Sequence, residues 1–173
     1  ANAYKLFDNY RNLRRIAPFS HVVCVDHAYI NWCRTLCGTA FRKNKLQVIV
    51  NHADSYFHQV DSLTPNTKKV SILFARRFMR FRGTLGFAAV ARKLVNEYAN
   101  VSVTLCGAGP DEAALKAALP PGERIIYRNA QHHEMASVIS AHDIVVVPSL
   151  GSEGTSLTAI EGMAAGRVVV ASA

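Results

Sequence analysis

The stretch from Asp143 to Ser172, DIVVVPSLGSEGTSLTAIEGMAAGRVVVAS, decides the fold. Residues 143–148 form an apolar run ending in proline, short enough for a strand and apolar enough to be buried on both faces. A Gly/Ser-rich loop follows and leads into a helix over 155–165, which Thr155 or Ser156 can cap. Residues 168–172 form a second apolar strand. Strand, helix and strand in so short a span make a parallel pair joined by a right-handed crossover.

The same rhythm extends back to residue 69. Strands are expected over 69–75, 101–106 and 124–127, and helices over 84–98, 111–119 and 134–141. Pro110 and the acidic residues after it suit a helix N-terminus. Strands that alternate with helices and are apolar on both sides build an α/β, Rossmann-like parallel sheet with helices on both faces. Residues 1–67 break the rhythm. They carry an amphipathic helix over 4–16, a strand over 21–25, a helix from His27 to about residue 41 with Asp26 as its N-cap, and a strand over 46–50. The polar stretch 51–66, with Pro65, reads as a linker between domains.

Half of the residues are hydrophobic and 18% are charged, which excludes a disordered chain. The apolar runs are strand-sized, so no membrane-spanning helix is expected, and without an apolar stretch near its start the sequence is not expected to open on a secretory leader. The sequence begins at Ala1 and breaks off within a strand-like run, so both ends are expected to be cuts. Cys24, Cys33, Cys37 and Cys106 read as reduced cytosolic thiols. The formal net charge is +8, with nine Lys/Arg against four Asp/Glu in residues 1–68 and eleven against eight in 69–173. Such diffuse positive charge favours anionic partners without choosing among them.

Ligands of open parallel sheets bind at the carboxyl ends of the strands, and four loops lie at such ends. The first carries Arg76, Arg77, Arg80 and Arg82, whose guanidinium donors match phosphate oxygens. The second, Cys106-Gly107-Ala108-Gly109-Pro110, is a tight turn without a dinucleotide fingerprint. The third holds Arg128, Asn129 and Gln131, suited to polar contacts with a nucleobase. Its His132-His133 pair has no further ligands for a metal. The fourth presents Gly154, Thr155 and Ser156 at a helix N-terminus, where free backbone N–H groups and the helix dipole favour a phosphate. Glu153 lies in that loop, and Glu161 follows about two turns later. A carboxylate is a poor phosphate ligand but a good acceptor for sugar hydroxyls. Together these groups make the chemistry of a nucleotide-sugar site.

The run Pro148-Ser149, Glu153-Gly154-Thr155-Ser156-Leu157 and Glu161-Gly162-Met163-Ala164-Ala165-Gly166, followed by 168–171, resembles the retaining glycosyltransferases of the family 4, group 1 type. Its two glutamates are separated by seven residues, as in that family. Ile72-Leu73-Phe74 with Arg77 and Arg82-Gly83, the 103–109 segment, and Asn51, Asp54 and Phe57 resemble further parts of the pattern. The resemblance implies a GT-B architecture of two Rossmann-like domains. Residues 1–60 would be the end of the N-terminal, acceptor-side domain and the connection, and 61–173 the nucleotide-sugar-binding domain, truncated at its C-terminal end. It also implies that Arg77 and Arg82 hold the donor diphosphate and that Glu153 contacts the transferred sugar. Glu161 would bind the ribose hydroxyls, and Gly154, Thr155 and Ser156 would meet phosphate through backbone groups. The donor is a substrate, with no cofactor and no metal expected. The acceptor would be a glycan, a lipid-linked molecule or another group.

The implied enzyme is cytoplasmic, with peripheral contact at the inner face of the membrane for the full-length protein. Activity of this chain alone is not expected. This sequence departs from the pattern at Arg76, where glycine is usual, and at Arg82, where lysine is usual. His52-Ala53 and Val168 depart as well. Another Rossmann or GT-B nucleotide-binding protein, such as a sugar-nucleotide epimerase, is the alternative, against which the glutamate pair argues. A basic module for nucleic acid would need an aromatic platform that the single Trp32 does not provide.

Overall fold

The computed structural model describes residues 3–16, 18–37, 46–59, 68–151 and 154–172. Contacts divide the chain into two compact units, Ala1–Asn51 and His52–Ala173.

The first unit contains α1 (Ala3–Ile16), β1 (Val22–Cys24), α2 (His27–Cys37) and β2 (Leu46–Val48). β1 and β2 pair in parallel, Val22 opposite Leu46. Asp26 caps α2 as its sequence position requires: the Tyr29 N–H donates to Asp26 Oδ1 at 2.6 Å. Leu13, Cys24, Ile30, Cys33 and Leu46 form the small core. α2 is described only to Cys37, so its expected extension to residue 41 lies outside the described residues. β2 stops at Val48, two residues short of the expectation, and Ile49 and Val50 are exposed.

The second unit contains β3 (Val70–Ala75), α3 (Thr84–Glu97), β4 (Val101–Cys106), α4 (Glu112–Ala118), β5 (Ile125–Arg128), α5 (Met135–Ser140), β6 (Ile144–Val147), α6 (Leu157–Ala164) and β7 (Val168–Ala171). The strands form one sheet in the order β5-β4-β3-β6-β7, and every pair is parallel. The α/β expectation is met. Alternation along β3 explains the layering. Ile72 and Phe74 join α3 and α4 residues such as Phe87, Ala91 and Leu115 in one core, whereas Leu73 and Ala75 join Val138, Ile139 and Ala165 in the other. A strand apolar on both faces has to be covered on both.

The segment before β3 contributes to the second core. A 3₁₀ turn, Ser55–Gln59, brings in Phe57, which is fully buried against that layer. The expected linker over 51–66 is thus partly an ordered support, while residues 60–67 lie outside the described set. Cover is incomplete at β7. Val168 and Val170 are both half exposed, and an apolar groove between α3 and β6–β7 is lined by Phe87, Val90, Leu94, Ile144, Val146 and Val170.

Polar groups fix the register at the amino end of the sheet. Asp143 Oδ2 accepts hydrogen bonds from both the N–H and the hydroxyl of Ser71, each 2.7 Å long. Beside it, His142 is buried, with Nδ1 2.7 Å from the Val138 carbonyl and Nε2 2.8 Å from Thr104 Oγ1.

Candidate functional site

Because the strands are parallel, Ala75, Cys106, Arg128 and Val147 end at the same edge of the sheet. The loops that follow are tied to one another by backbone bonds. Arg76 N–H donates to the Cys106 carbonyl at 3.0 Å, Phe78 N–H to the Ala108 carbonyl at 2.9 Å, and Gly107 N–H to the Arg128 carbonyl at 3.0 Å. Leu150 N–H donates to the Phe81 carbonyl at 3.0 Å, which links the loops after β3 and β6. The approach there is close enough to require glycine. Gly83 has φ +75°, and a Cβ on it would overlap the Pro148 carbonyl oxygen.

Arg77 is exposed immediately beyond β3, and Arg82 is half-buried in the 3₁₀ turn Arg80–Arg82 that leads through Gly83 into α3. Arg128 is the last residue of β5 rather than a loop residue, because β5 ends one position later than expected; Arg128 and Asn129 are both exposed. α6 begins at Leu157, not at 155, so Gly154 and Thr155 are exposed loop residues. Ser156 occupies the N-cap position in extended conformation, but its side chain makes no cap bond, which corrects the expectation of a side-chain cap. Thr158 Oγ1 donates to the Ala75 carbonyl at 3.2 Å and fastens the start of α6 to the end of β3. Glu153 lies outside the described residues.

Glu161 is one turn into α6 and only 8% exposed. Burial pushes its carboxyl above the usual carboxylate range, with the charge of His132 opposing and that of Asp54 adding to the rise. These neighbours belong to a group that the sequence reading did not assemble. The Tyr56 hydroxyl donates to Asp54 Oδ2 at 2.9 Å and lies 3.3 Å from His132 Nε2. His132 Nε2 is 3.6 Å from Asp54 Oδ2.

Two local devices place the group. Phe57 anchors the Asp54–Tyr56 segment, and Phe57 N–H donates to the Asp54 carbonyl at 3.0 Å. A capping box then sets His132: Gln131 N–H donates to Glu134 Oε2 at 2.6 Å, and the Gln131 side chain accepts from the Glu134 N–H. The 132–134 segment is therefore a 3₁₀ turn, and α5 starts at Met135, one residue after the expected helix start. The pair Gln131/Glu134 was the available sequence signal, since it is spaced as a capping box. Nothing in the sequence pointed from His132 to Tyr56.

Among the described residues no group of three or more His, Cys, Asp or Glu side chains is arranged to hold a metal ion. No helix among them is long and apolar enough to cross a membrane. The edge instead combines exposed arginines, a loop that opens into a helix N-terminus, and a buried carboxyl beside a Tyr–His–Asp group. Such an edge can take an anion at its cationic part and hydroxyl donors at the carboxyl.

The family model described as Glycosyl transferases group 1 matches residues 69–173. Among solved structures, Anabaena HepE in complex with UDP is 17% identical, with a TM-score of 0.68, over 94% of this chain and 48% of HepE. The pneumococcal O-GlcNAc transferase GtfA, in complex with UDP and GlcNAc, is 15% identical, with a TM-score of 0.65, over 93% of this chain and 31% of GtfA. The C-terminal domain of LpcC, a group 1 glycosyl transferase family protein from Francisella tularensis, is 27% identical, with a TM-score of 0.53, over 66% of this chain and 68% of that domain. No curated protein sequence matches the chain. The chain spans about half the length of HepE and about a third of GtfA. At such identities these two likenesses establish the shared GT-B glycosyltransferase fold.

Proposed function

The chain belongs to the group 1 glycosyl transferases, and from that premise we propose that its second unit binds a nucleotide-sugar donor at the carboxyl edge of the sheet. In the longer protein the donor's sugar would pass to a glycan, lipid-linked or other acceptor with retention of configuration. The observation that carries this reading is Glu161, a buried carboxyl one turn beyond an open loop at a helix N-terminus. A buried carboxyl needs hydrogen-bond donors, and the hydroxyls of a ribose supply them.

In this reading the diphosphate lies between the α6 N-terminus, with backbone groups of Gly154, Thr155 and Ser156, and the side chains of Arg77 and Arg82. Arg128 and Asn129 take the base. These donors would stabilise the negative charge that develops on the departing diphosphate, and Glu153 would orient the sugar. Retention of configuration, the family 4 assignment and the role of Glu153 rest on the resemblance of the two-glutamate run. The reading extends to a cytoplasmic enzyme, in keeping with the buried thiols of Cys24 and Cys106.

Calorimetric titration of the full chain with UDP, GDP, ADP and the matching nucleosides tests the proposal. UDP comes first, because HepE and GtfA were both crystallised with it. One diphosphate should bind, and its nucleoside should bind at least about tenfold more weakly, since each charged hydrogen bond to phosphate contributes about 1.5–3 kcal/mol. Equal affinity for nucleoside and diphosphate would remove the phosphate site from the reading.

A further inference from the structure

The loop that carries Arg77 and Arg82 also carries an aromatic ring to which the donor reading gives no task. Phe81 is 65% exposed, whereas Phe78, three residues earlier, is buried in the core. An exposed ring on a loose loop would call for no explanation, but this turn is locked. Met79 N–H donates to Thr84 Oγ1 at 2.9 Å, and the Thr84 hydroxyl, itself fully buried, donates back to the Met79 carbonyl at 3.0 Å. Arg82 N–H donates to the same carbonyl at 2.9 Å, and Gly83 N–H to the Arg80 carbonyl at 3.0 Å. The Phe81 carbonyl accepts from Leu150 N–H of the loop after β6. The ring leans on that loop, since a Cβ added to Gly151 would lie 3.6 Å from Phe81 Cδ1, in ordinary contact.

We propose that Phe81 is a specificity-determining residue of the donor site, whose ring takes the C–H face of the pyranose that the nucleotide carries. The proposal rests on the donor reading above and adds to it an apolar contact for the transferred sugar. Direction favours this placement. Glu161 belongs to α6, which packs on the side of the sheet that Leu73 and Ala75 face. The turn Arg80–Arg82 opens α3, which packs on the other side with Ile72 and Phe74. A diphosphate held between the α6 N-terminus and Arg82 therefore crosses the edge of the sheet, away from the ribose and toward α3. The group on its distal phosphate emerges beside the neighbour of Arg82 in the chain, which is Phe81.

Chemistry favours it as well. A pyranose carries its hydroxyls around the rim and C–H bonds on its faces. The partial positive charge of those bonds meets the negative face of an aromatic ring, and the contact removes apolar area of both from water. A ring already held in place loses little freedom on binding. A nucleobase would also stack on an exposed ring. In the donor reading, however, the base lies with Arg128 and Asn129 at the end of β5, two places from β3 in the sheet.

Calorimetry on the full chain with UDP, GDP and ADP, each beside its glucose conjugate, tests the proposal. The readout is the dissociation constant of the conjugate divided by that of its diphosphate, for the pair that binds. Base, ribose and diphosphate are common to the two ligands, so a change of this ratio in a variant reports on the sugar. Phe81→Ala should raise the ratio roughly three- to tenfold, the loss of one stacked face. Phe81→Tyr keeps the ring and should stay within about twofold of the parent ratio. The side chain is exposed, so neither variant disturbs the core. An unchanged ratio in Phe81→Ala, with the diphosphate still bound, overturns the proposal and leaves the donor site standing. Equal weakening of both ligands overturns it too, since the ring would then serve the nucleotide and not the sugar. A Phe81→Tyr ratio as high as that of Phe81→Ala does the same, as does a parent chain that binds the diphosphate but not its conjugate. Absence of binding for all three diphosphates brings down the donor reading along with the proposal.

Discussion

The Tyr56 hydroxyl lies 3.3 Å from Nε2 of His132, across a sequence separation of 76 residues. Neither residue belongs to a strand or an α-helix. Each is held by a local device, Phe57 in the second core for one and the Gln131/Glu134 capping box for the other. The loops and 3₁₀ turns of the carboxyl edge thus bring side chains together, as loops on a rigid α/β scaffold commonly do.

The close approach of the loops after β3 and β6 leads to a paired prediction about glycine. Gly83 has φ +75°, and an added Cβ would meet the Pro148 carbonyl, whereas nothing lies within 4 Å of a Cβ added to Gly86 inside α3. Gly83→Ala should destabilise the chain by about 1–3 kcal/mol from backbone strain, with the overlap adding to it. Gly86→Ala should stabilise it by about 0.5–1 kcal/mol, because alanine is the better helix former. Urea denaturation of both variants against the parent measures the two effects. Equal effects would mean that the loops yield and the approach is not a constraint.

A second prediction concerns acid stability. Burial pushes the His142 pKa below its ordinary value of 6.5, with the bond to the Val138 carbonyl opposing. The folded protein therefore holds the ring neutral, while the unfolded chain takes up a proton near pH 6.5. Below that pH the unfolded state binds more protons, so stability falls as pH drops through about 6.5 and levels off beneath the lowered native pKa. Above pH 6.5 the neutral ring's contribution is present in full. His142→Gln should be less stable at pH 8, by about 1–3 kcal/mol for two disturbed buried hydrogen bonds, but should lose less on acidification. Urea midpoints from pH 8 to pH 5 compare the two proteins. Parallel curves would show that His142 does not contribute to the acid slope.

Much of the second unit was legible because hydrophobic period and sheet geometry agree there. The segment Val101–Cys106 is apolar at four of six positions, and it became the strand over the same residues. Val168–Ala171 was equally legible as a strand, but its burial was not: a sequence marks residues able to pack and does not say what packs on them. The Gly-rich segment Gly107–Gly109 was legible as a tight turn, and the structure adds its close backbone approach to the loop after β3. Of the candidate site, the edge and Glu161 followed from motif spacing. The start of α6 did not, since both Thr155 and Ser156 suit a cap by type, and Ser156 takes the N-cap position without a side-chain cap bond. Asp54 and His132 were each read separately, and their association with Tyr56 escaped notice because it is tertiary. The polar stretch that holds Asp54 and Tyr56 has a linker's composition, and only the packing of Phe57 distinguishes it from one.

The arginines give a third prediction. Arg77 is exposed and Arg82 half-buried, both on the loop between β3 and α3. If both serve the diphosphate, Arg77→Ala and Arg82→Ala should each weaken binding of a nucleoside diphosphate by roughly ten- to a hundredfold. Binding of the nucleoside should hardly change. Arg82→Lys should retain part of the affinity, since it keeps the charge and loses the two-pronged fit. Calorimetry with UDP and uridine reads all three variants, and equal losses for the two ligands would rule the role out.

The last prediction bears on the two glutamates. Glu161 is buried one turn into α6, where its carboxyl lacks the solvation of a surface glutamate. Replacing it with glutamine preserves the shape and removes the ionised acceptor. Two charge-assisted bonds to ribose hydroxyls would be reduced to neutral ones, which are about half as strong, so UDP binding should weaken by roughly tenfold. Binding of 2′,3′-dideoxy-UDP should stay within about twofold, because that ligand offers nothing to the carboxyl. Glu161→Gln should also tolerate acid better than the parent protein in UDP binding, since it has no carboxyl left to protonate. Glu153→Gln should behave differently. In the full-length enzyme it should lower the rate of sugar transfer while leaving UDP affinity nearly unchanged, because its assigned contact is with the sugar and not the nucleotide. Should Glu161→Gln weaken both nucleotides equally, the carboxyl would be supporting the fold of α6 and not holding the ribose.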